Sequence, residues 1–242
     1  MGSLQKKDAC VASGAGERQP IEQSVPVICE RFDSLGFDDP SRAYRLGIMG
    51  GTFDPIHIGH LACAEQVREA CGLDAVVFMP AGDPWMKRGR RLASAEDRFA
   101  MVRLAVQDNP HFDVSRLEID RAGETYTVDT LRALRAHYPE NVELFFISGA
   151  DAVFRILEWR DAQEVASLAR LVAVTRPGYE ISDARSKYMR THASIMHISQ
   201  LEVTALSISS TDLREKVRAG KSIRYLVPQV VADYIQEHGL YR

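Results

Sequence analysis

The sequence predicts an α/β fold of the doubly wound type, with a mostly parallel sheet and helices on both of its faces. From about residue 44, short apolar segments alternate with amphipathic helical segments, which is typical of repeated βαβ units. Crossovers between parallel strands are almost always right-handed, which gives the doubly wound arrangement. A chain of 242 residues with 45% hydrophobic residues can bury the core of one such domain.

The predicted elements follow one another in regular order. Apolar runs typical of buried strands lie at 46–49, 75–79, 112–115, 144–147 and 171–175. Helices are predicted at about 60–71, from Ser94 onward, and over 128–138. Asp97 follows Ser94 at the spacing of a capping box, and Pro139 ends the helix that precedes it.

The first 43 residues differ from the rest. Residues 12–20 are small and polar, and the run Asp38-Asp39-Pro40-Ser41 is typical of a break between elements. We therefore expect residues 1–43 to form a partly disordered tail, with a short helix near Cys29 to Leu35, and residues 44–242 to form the domain.

Composition bounds the partners and the compartment. A net charge of -3 gives no overall basic field for nucleic acid, and no apolar run is long enough to cross a membrane. Cys63 and Cys71 lie roughly 12 Å apart along one predicted helix, too far for a disulfide. Reduced thiols and a cytoplasmic location are expected. A homo-oligomer is compatible with the sequence.

The strongest motif runs from Gly50 to His60 and reads Gly-Gly-Thr-Phe-Asp-Pro-Ile-His-Ile-Gly-His. It follows a predicted strand and opens a helix. Glycines let the backbone approach a ligand closely, and a helix N-terminus offers unpaired N–H groups to an anion. His57 and His60 are three residues apart, so both side chains can face one phosphate group. The string is not a P-loop, because it has no G-x-x-x-x-G-K-[ST] pattern.

This motif resembles the H-x-G-H nucleotidyltransferase superfamily, and specifically the nicotinate-nucleotide adenylyltransferases. The resemblance implies a Rossmann-like fold and adenylyl transfer from ATP to nicotinate mononucleotide, with ATP and the mononucleotide as partners. It gives His57 and His60 the role of holding phosphates and stabilising charge on the α-phosphate and pyrophosphate. It places Gly50, Gly51, Thr52 and Phe53 at the ATP site.

A second motif lies at 208–214, Ile-Ser-Ser-Thr-Asp-Leu-Arg. Ser209 and Asp212 have capping-box spacing, so a helix is predicted to begin here and to present backbone donors. The motif resembles the family's C-terminal ATP signature. The resemblance assigns Ser209, Ser210 and Thr211 to phosphate contacts and Arg214 to the triphosphate.

Three further segments take their roles from the same resemblance. The basic loop 80–91 supplies Lys87 as a nucleotide contact, although Pro84-Trp85-Met86 stands where the family usually has Pro-Pro-His. Asp151 falls in the element that contacts adenosine. Tyr126, Thr127 and Trp159 fall at the mononucleotide site, where the tryptophan is expected to stack on the pyridine ring.

The expected chemistry is direct in-line transfer with Mg²⁺ accompanying ATP. A mononucleotide phosphate has a second pKa near 6, so it is already a dianion at neutral pH and needs no general base. No protein metal site and no nucleophilic side chain is predicted. The catalyst must instead align the two phosphates and neutralise developing charge.

Several alternatives stay open at this stage. Phosphopantetheine adenylyltransferases and cytidylyltransferases carry similar H-x-G-H loops, and nicotinamide mononucleotide differs from the expected acceptor only in one ring substituent. The same four residues occur in class I aminoacyl-tRNA synthetases, but this chain lacks a lysine-rich second loop and room for a tRNA-binding domain. A non-catalytic nucleic-acid-binding module would rest on the basic run 87–91 alone.

Overall fold

The computed structural model describes residues 28–83, 92–153, 155–175, 197–204 and 206–242. In this part of the chain, six strands form one sheet in the order β3-β2-β1-β4-β5-β6. Every neighbouring pair is parallel. The strands are β1 Tyr44–Gly51, β2 Ala75–Pro80, β3 Phe112–Val114, β4 Val142–Gly149, β5 Arg170–Thr175 and β6 Ile198–Glu202. This is the doubly wound Rossmann-like fold that the sequence predicts.

Eight α-helices and one short 3-10 helix flank the sheet among the described residues. They are α1 Glu30–Asp33, α2 Ile58–Cys71, α3 Ala95–Val106, α4 Thr127–His137, α5 Ala150–Val153, the 3-10 helix Ile156–Glu158, α6 Ala162–Leu168, α7 Ser210–Arg218 and α8 Gln229–Glu237. Both predicted capping boxes begin helices as expected. The Ser94 hydroxyl accepts from the backbone N–H of Asp97 at 3.0 Å, and Ser209 accepts from that of Asp212 at 3.1 Å.

Two apolar layers cover the two faces of the sheet. Successive residues of β2 alternate between them, because neighbouring side chains of a strand point to opposite faces: Val77 and Met79 belong to one layer, and Val76 and Phe78 to the other. Helices α4 and α6 contribute to the first layer, and α2, α3, α7 and α8 contribute to the second. The prediction of helices on both faces is confirmed.

The described part of the N-terminal segment is packed against the domain and is not a tail. The short helix expected near Cys29 is α1, and both Cys29 and Phe32 are fully buried. The Phe32 ring lies 5.2 Å from that of Phe37 and 5.5 Å from that of Tyr138. These aromatic contacts join residues 28–37 to the amino end of the sheet.

The strand order reverses between β1 and β4, which are the two central strands of the sheet. Ligands of open α/β sheets bind outside the carboxyl ends of the strands at such a point. Of the two motifs predicted to bind ATP, the first follows β1 and the second contains the start of α7. Both motifs lie at this end of the sheet.

Candidate active site

The exit of β1 is built for a close backbone approach. Gly51 is the last residue of the strand, and a Cβ placed there would lie 2.8 Å from Cζ of Phe53. A contact that short requires a shift, so glycine is needed for the chain to turn under the Phe53 ring. Phe53 itself is buried and has a φ of 49°, in the left-handed region. The turn brings backbone rather than side chain to the edge of the sheet.

His57 and His60 stand together at the N-terminus of α2. Their rings stack with centroids 3.6 Å apart and an angle of 19° between planes. The backbone N–H of His57 donates to Nδ1 of His60 at 3.3 Å. A ring nitrogen that accepts a hydrogen bond carries no proton, so this contact assigns the proton of the neutral His60 ring to Nε2. His60 therefore carries an N–H donor at a helix N-terminus that already favours anions.

The second motif is hydrogen-bonded to the first. The Ser210 hydroxyl donates to the carbonyl of Pro55 at 2.9 Å. Arg214 donates through Nη1 to the carbonyl of Asp54 at 2.6 Å and through Nη2 to Oγ1 of Thr211 at 3.2 Å. Two segments about 150 residues apart thus place two helix N-termini side by side. The two serine hydroxyls therefore differ. Ser210 already donates its proton within the protein, whereas Ser209 acts as the acceptor of a backbone N–H.

A cleft of about 490 Å³ lies between these two helix N-termini. It is lined by ten of the predicted site residues, namely Gly50, Gly51, Thr52, Phe53, His57, His60, Ser209, Ser210, Thr211 and Arg214. The carboxyl end of β4, from Ile147 to Gly149, forms another wall. Polar donors and a cation therefore converge on one concave surface, which suits a polyphosphate.

Asp54 is a buried polar residue that also lines this cleft. Its side chain is 2% exposed. Oδ1 accepts from the Tyr241 hydroxyl at 2.7 Å and from the backbone N–H of Ala93 at 3.2 Å, and Oδ2 lies 3.6 Å from Nη1 of Arg214. A buried carboxylate needs such partners, because an isolated buried charge is strongly unfavourable.

Arg98 of α3 is a second buried charge that fixes the same region. It is 2% exposed and donates to the carbonyls of Thr52 at 2.9 Å, Gly82 at 3.2 Å and Ala93 at 3.3 Å. One guanidinium thus holds the loop after β1 to both sides of the basic segment. Burial lowers the pKa of Arg98 from its ordinary value, and the Asp54 carboxylate opposes the shift.

Sequence reasoning did not assign a role to Arg98 or Tyr241. For Arg98 a signal existed, since an arginine follows the cap of a helix and precedes its apolar positions. For Tyr241 no signal existed, because only the packing of the chain after α8 brings it to Asp54.

The residues predicted for the mononucleotide are not among those that line the cleft. Trp159 follows the 3-10 helix, and its ring packs edge-on against Phe146 of β4 at 5.8 Å. Tyr126 caps α4 and hydrogen-bonds Glu124, and Thr127 is the first residue of that helix. The guanidinium of Arg160, the residue after Trp159, lies 4.9 Å from the centre of the Tyr126 ring.

Asp151 and Lys87 are the other two predicted site residues. Asp151 is exposed on the short helix α5, directly after the β4 wall of the cleft. Lys87 lies in the segment 84–91, which is outside the described residues.

The buried carboxyl group of Glu118 is hydrogen-bonded to helix α4. Glu118 accepts from the Thr130 hydroxyl at 2.7 Å. Burial raises its pKa from 4.5 to about 7, against the opposing effects of the Thr130 hydrogen bond and the Arg121 charge. No local sequence signal indicates that Glu118 is buried, because a glutamate between a strand and a helix is usually exposed.

Neither a metal-binding cluster nor a membrane-spanning helix occurs among the described residues. No group of three or more His, Cys, Asp or Glu side chains there could hold a metal ion. None of the helices described is long and apolar enough to cross a membrane.

Comparisons with known proteins now decide the family. A cytidylyltransferase-like family model matches residues 48–216, which contain both motifs. The protein named "Probable nicotinate-nucleotide adenylyltransferase" from Salinispora arenicola is 50% identical over 194 residues, 80% of this chain and 100% of that protein. The relative of the same name from Corynebacterium jeikeium is 47% identical over 80% of this chain and 98% of its own. The chain belongs to the nicotinate-nucleotide adenylyltransferase family.

The fold of this adenylyltransferase family member also matches a solved structure. The nicotinic acid mononucleotide adenylyltransferase of Plasmodium falciparum superposes with a TM-score of 0.67, at 18% identity over 82% of this chain and 97% of that one. This likeness shows the fold. Both histidines and the Ser209 to Arg214 motif of this family member line one cleft at the switch point of that fold.

Proposed function

We propose that this protein transfers the adenylyl group of ATP to nicotinate mononucleotide, which gives nicotinate adenine dinucleotide and pyrophosphate. The observation that carries the proposal is the convergence of two helix N-termini, His57, His60 and Arg214 on one cleft at the switch point of the sheet. The names of the relatives support the choice of acceptor. The solved Plasmodium protein is complexed with NaAD.

The reaction is a direct in-line displacement. An oxygen of the mononucleotide phosphate bonds to the α-phosphorus of ATP, while the bond from that phosphorus to the bridging oxygen breaks and pyrophosphate leaves with its electron pair. The attacking dianion needs no general base at neutral pH. A covalent adenylyl-enzyme trapped with ATP labelled at the α-phosphate would contradict this step.

The chain's own residues bind the polyphosphate and stabilise charge. His60 donates through Nε2, and the backbone N–H groups at the start of α2 and α7 add donors. Arg214, held by Asp54 and Thr211, supplies the positive charge. Lys87 is proposed as a further cation. Gly50 and Gly51 leave the surface open for the nucleotide.

Magnesium enters as part of the substrate MgATP, in which the ion neutralises phosphate charge. We propose that the phosphates of ATP hold this ion. Tyr126, Thr127 and Trp159 are proposed to hold the mononucleotide, and Asp151 the adenosine. Reduced Cys29 and Cys71 suit a reducing compartment, and we propose the cytoplasm.

The test is pyrophosphate release from MgATP with nicotinate and nicotinamide mononucleotides in parallel assays. We expect release with the nicotinate substrate, a lower kcat/KM with the nicotinamide substrate, and loss of release in His60→Ala. Equal kcat/KM for both would contradict the nicotinate preference. No release with either, from folded protein, would contradict the proposed acceptor, and phosphopantetheine would be tested next.

A further inference from the structure

The cleft is supported by a side chain that lies far from it in sequence. Tyr241 follows α8, and its hydroxyl donates to Oδ1 of Asp54 at 2.7 Å. Tyr241 has a φ of 64°, which is unfavourable for a residue other than glycine and is kept only where surrounding contacts compensate. Burial, followed by the Asp54 charge, raises the pKa of the Tyr241 hydroxyl well above its ordinary value. The hydroxyl therefore stays a donor at every physiological pH.

Tyr241 and Arg214 face the same carboxylate, that of Asp54, at its two different oxygens. Asp54 gives Oδ1 to Tyr241, while its Oδ2 stays 3.6 Å from Nη1 of Arg214 and has no hydrogen-bond partner. That separation is longer than a charge-assisted hydrogen bond. The two charges lie within ion-pair distance, but the hydrogen bond of Nη1 goes to the Asp54 carbonyl at 2.6 Å, a neutral acceptor that orients the guanidinium.

Loss of the Tyr241 hydroxyl would change this balance. Oδ1 would keep only the Ala93 N–H at 3.2 Å, and the carboxylate would gain by turning towards Arg214. A charge-assisted hydrogen bond between Asp54 and Arg214 would tighten their ion pair and oppose the binding of an anion by the same guanidinium. The hydroxyl thus controls how much of the Arg214 charge reaches the cleft.

We propose that Tyr241 is a positioning residue for ATP, which holds the Asp54 carboxylate away from Arg214 and so keeps the Arg214 guanidinium available to the polyphosphate. The inference rests on the proposed function, because it takes Arg214 as a contact of the triphosphate. Tyr241 itself lies outside the residues that line the cleft.

The variant Tyr241→Phe tests the proposal, with Tyr234→Phe as a matched control. Tyr234 donates to Oδ1 of Asp97 at 3.0 Å, so this control also removes one tyrosine–carboxylate hydrogen bond, but away from the cleft. We expect Tyr241→Phe to raise the Kd for MgATP, measured by calorimetry, and the KM for ATP about tenfold. The KM for the mononucleotide should change less than about twofold, and Tyr234→Phe should leave all three constants within about twofold.

A double-mutant cycle separates positioning from general loss of structure. In an Arg214→Ala background, Tyr241→Phe should change the Kd for MgATP by less than about twofold, because the charge that it regulates is gone. A tenfold effect that persists in this background would overturn the proposal. So would a Tyr241→Phe protein that matches Tyr234→Phe, or one in which both substrate KM values rise equally.

These outcomes are distinct from a failure of the proposed function. If the wild type binds MgATP but releases no pyrophosphate with nicotinate mononucleotide, the proposed acceptor is wrong. The calorimetric comparison of the variants then still decides the role of Tyr241. If the wild type does not bind MgATP, both the proposed function and the role of Tyr241 are overturned.

Discussion

The two ends of the sheet are built from opposite kinds of residue. At the amino end, four aromatic rings pack edge to face, and Phe37 lies 5.2 Å from Tyr44 and 5.6 Å from Tyr138. At the carboxyl end, glycines, stacked histidines and buried charges surround a cleft of about 490 Å³. The first end buries apolar area, and the second end leaves space and polar groups.

This difference separates stability from chemistry. Aromatic burial at the amino end contributes to the free energy of unfolding, since each ring removes a large apolar area from water. The carboxyl end carries Asp54, Arg98 and Glu118, three buried ionisable groups whose desolvation opposes folding. We expect mutations at the amino end to lower only the free energy of unfolding. Mutations of residues that line the cleft should lower only the catalytic activity.

Phe32→Ala should have the largest effect. Phe32 is fully buried among Phe37 and Tyr138, and truncation of such a ring lowers the free energy of unfolding by about 3–5 kcal/mol. Urea denaturation measures this loss. The kcat of the protein that remains folded at low temperature should match the wild type. Leu35→Ala, at a side chain that is 46% exposed, should change the free energy of unfolding by less than about 0.5 kcal/mol. A large fall in kcat for Phe32→Ala would break the comparison.

His60→Ala should have the converse effect. Removal of one preorganised donor to the transition state lowers kcat by about 10²–10³-fold, with little change in the denaturation midpoint. His111→Ala is the control, because that exposed ring contacts the Asp74 carbonyl near the amino end of β2 and lies outside the cleft. Steady-state assays of both variants measure the contrast. Equal kcat values for the two would show that His60 does not contribute to the transition state.

Glu118→Gln should reveal the energetic cost of polar groups near the carboxyl end. The folded pKa of Glu118 is about 7, against 4.5 without the protein environment, so between these values the folded state binds more protons than the unfolded state. Stability from this group is therefore fully present below pH 4.5 and is lost as pH rises through 7. The full loss is on the order of 3 kcal/mol.

The glutamine variant stays neutral at every pH, so we expect that part of the decline to vanish. Urea denaturation at pH 5 and pH 8 gives the comparison for the wild type and the variant. Thr127 lies on the same helix as Thr130, which donates to Glu118, so the KM for the mononucleotide is a useful second measurement. The same fall in stability from pH 5 to pH 8 in both proteins would mean that Glu118 titrates normally.

Local sequence patterns correctly predicted most of the strands and the position of the first motif between a strand and a helix. Strands β1, β2, β4 and β5 are short apolar runs between polar turns, and capping boxes marked the starts of α3 and α7. These features depend on neighbours in the chain. The gathering of His57, His60 and the Ser209 to Arg214 motif in one cleft follows from strand topology, which the alternation of elements also predicts.

The missed features depend on tertiary contacts. Strand β6 has exposed positions at Ser199 and Gln200, so it lacks an apolar run and gains its order from β5. Helix α1 itself was predicted, but its packing on the domain was not. Its four residues are too few to be stable alone, and it forms because Phe32 packs against aromatic residues distant in the chain. The same reason hides Tyr241, whose partner lies 187 residues earlier.

Hydrogen exchange with and without MgATP tests most directly whether the carboxyl end of the sheet is the working end. We predict slower exchange in the peptides that cover 50–61 and 209–218, which carry the two helix N-termini of the cleft. Peptides that cover 28–37 and 138–144, at the amino end, should exchange at the same rate in both states. Protection at the amino end, or no protection in 50–61 and 209–218 at saturating MgATP, would contradict the account.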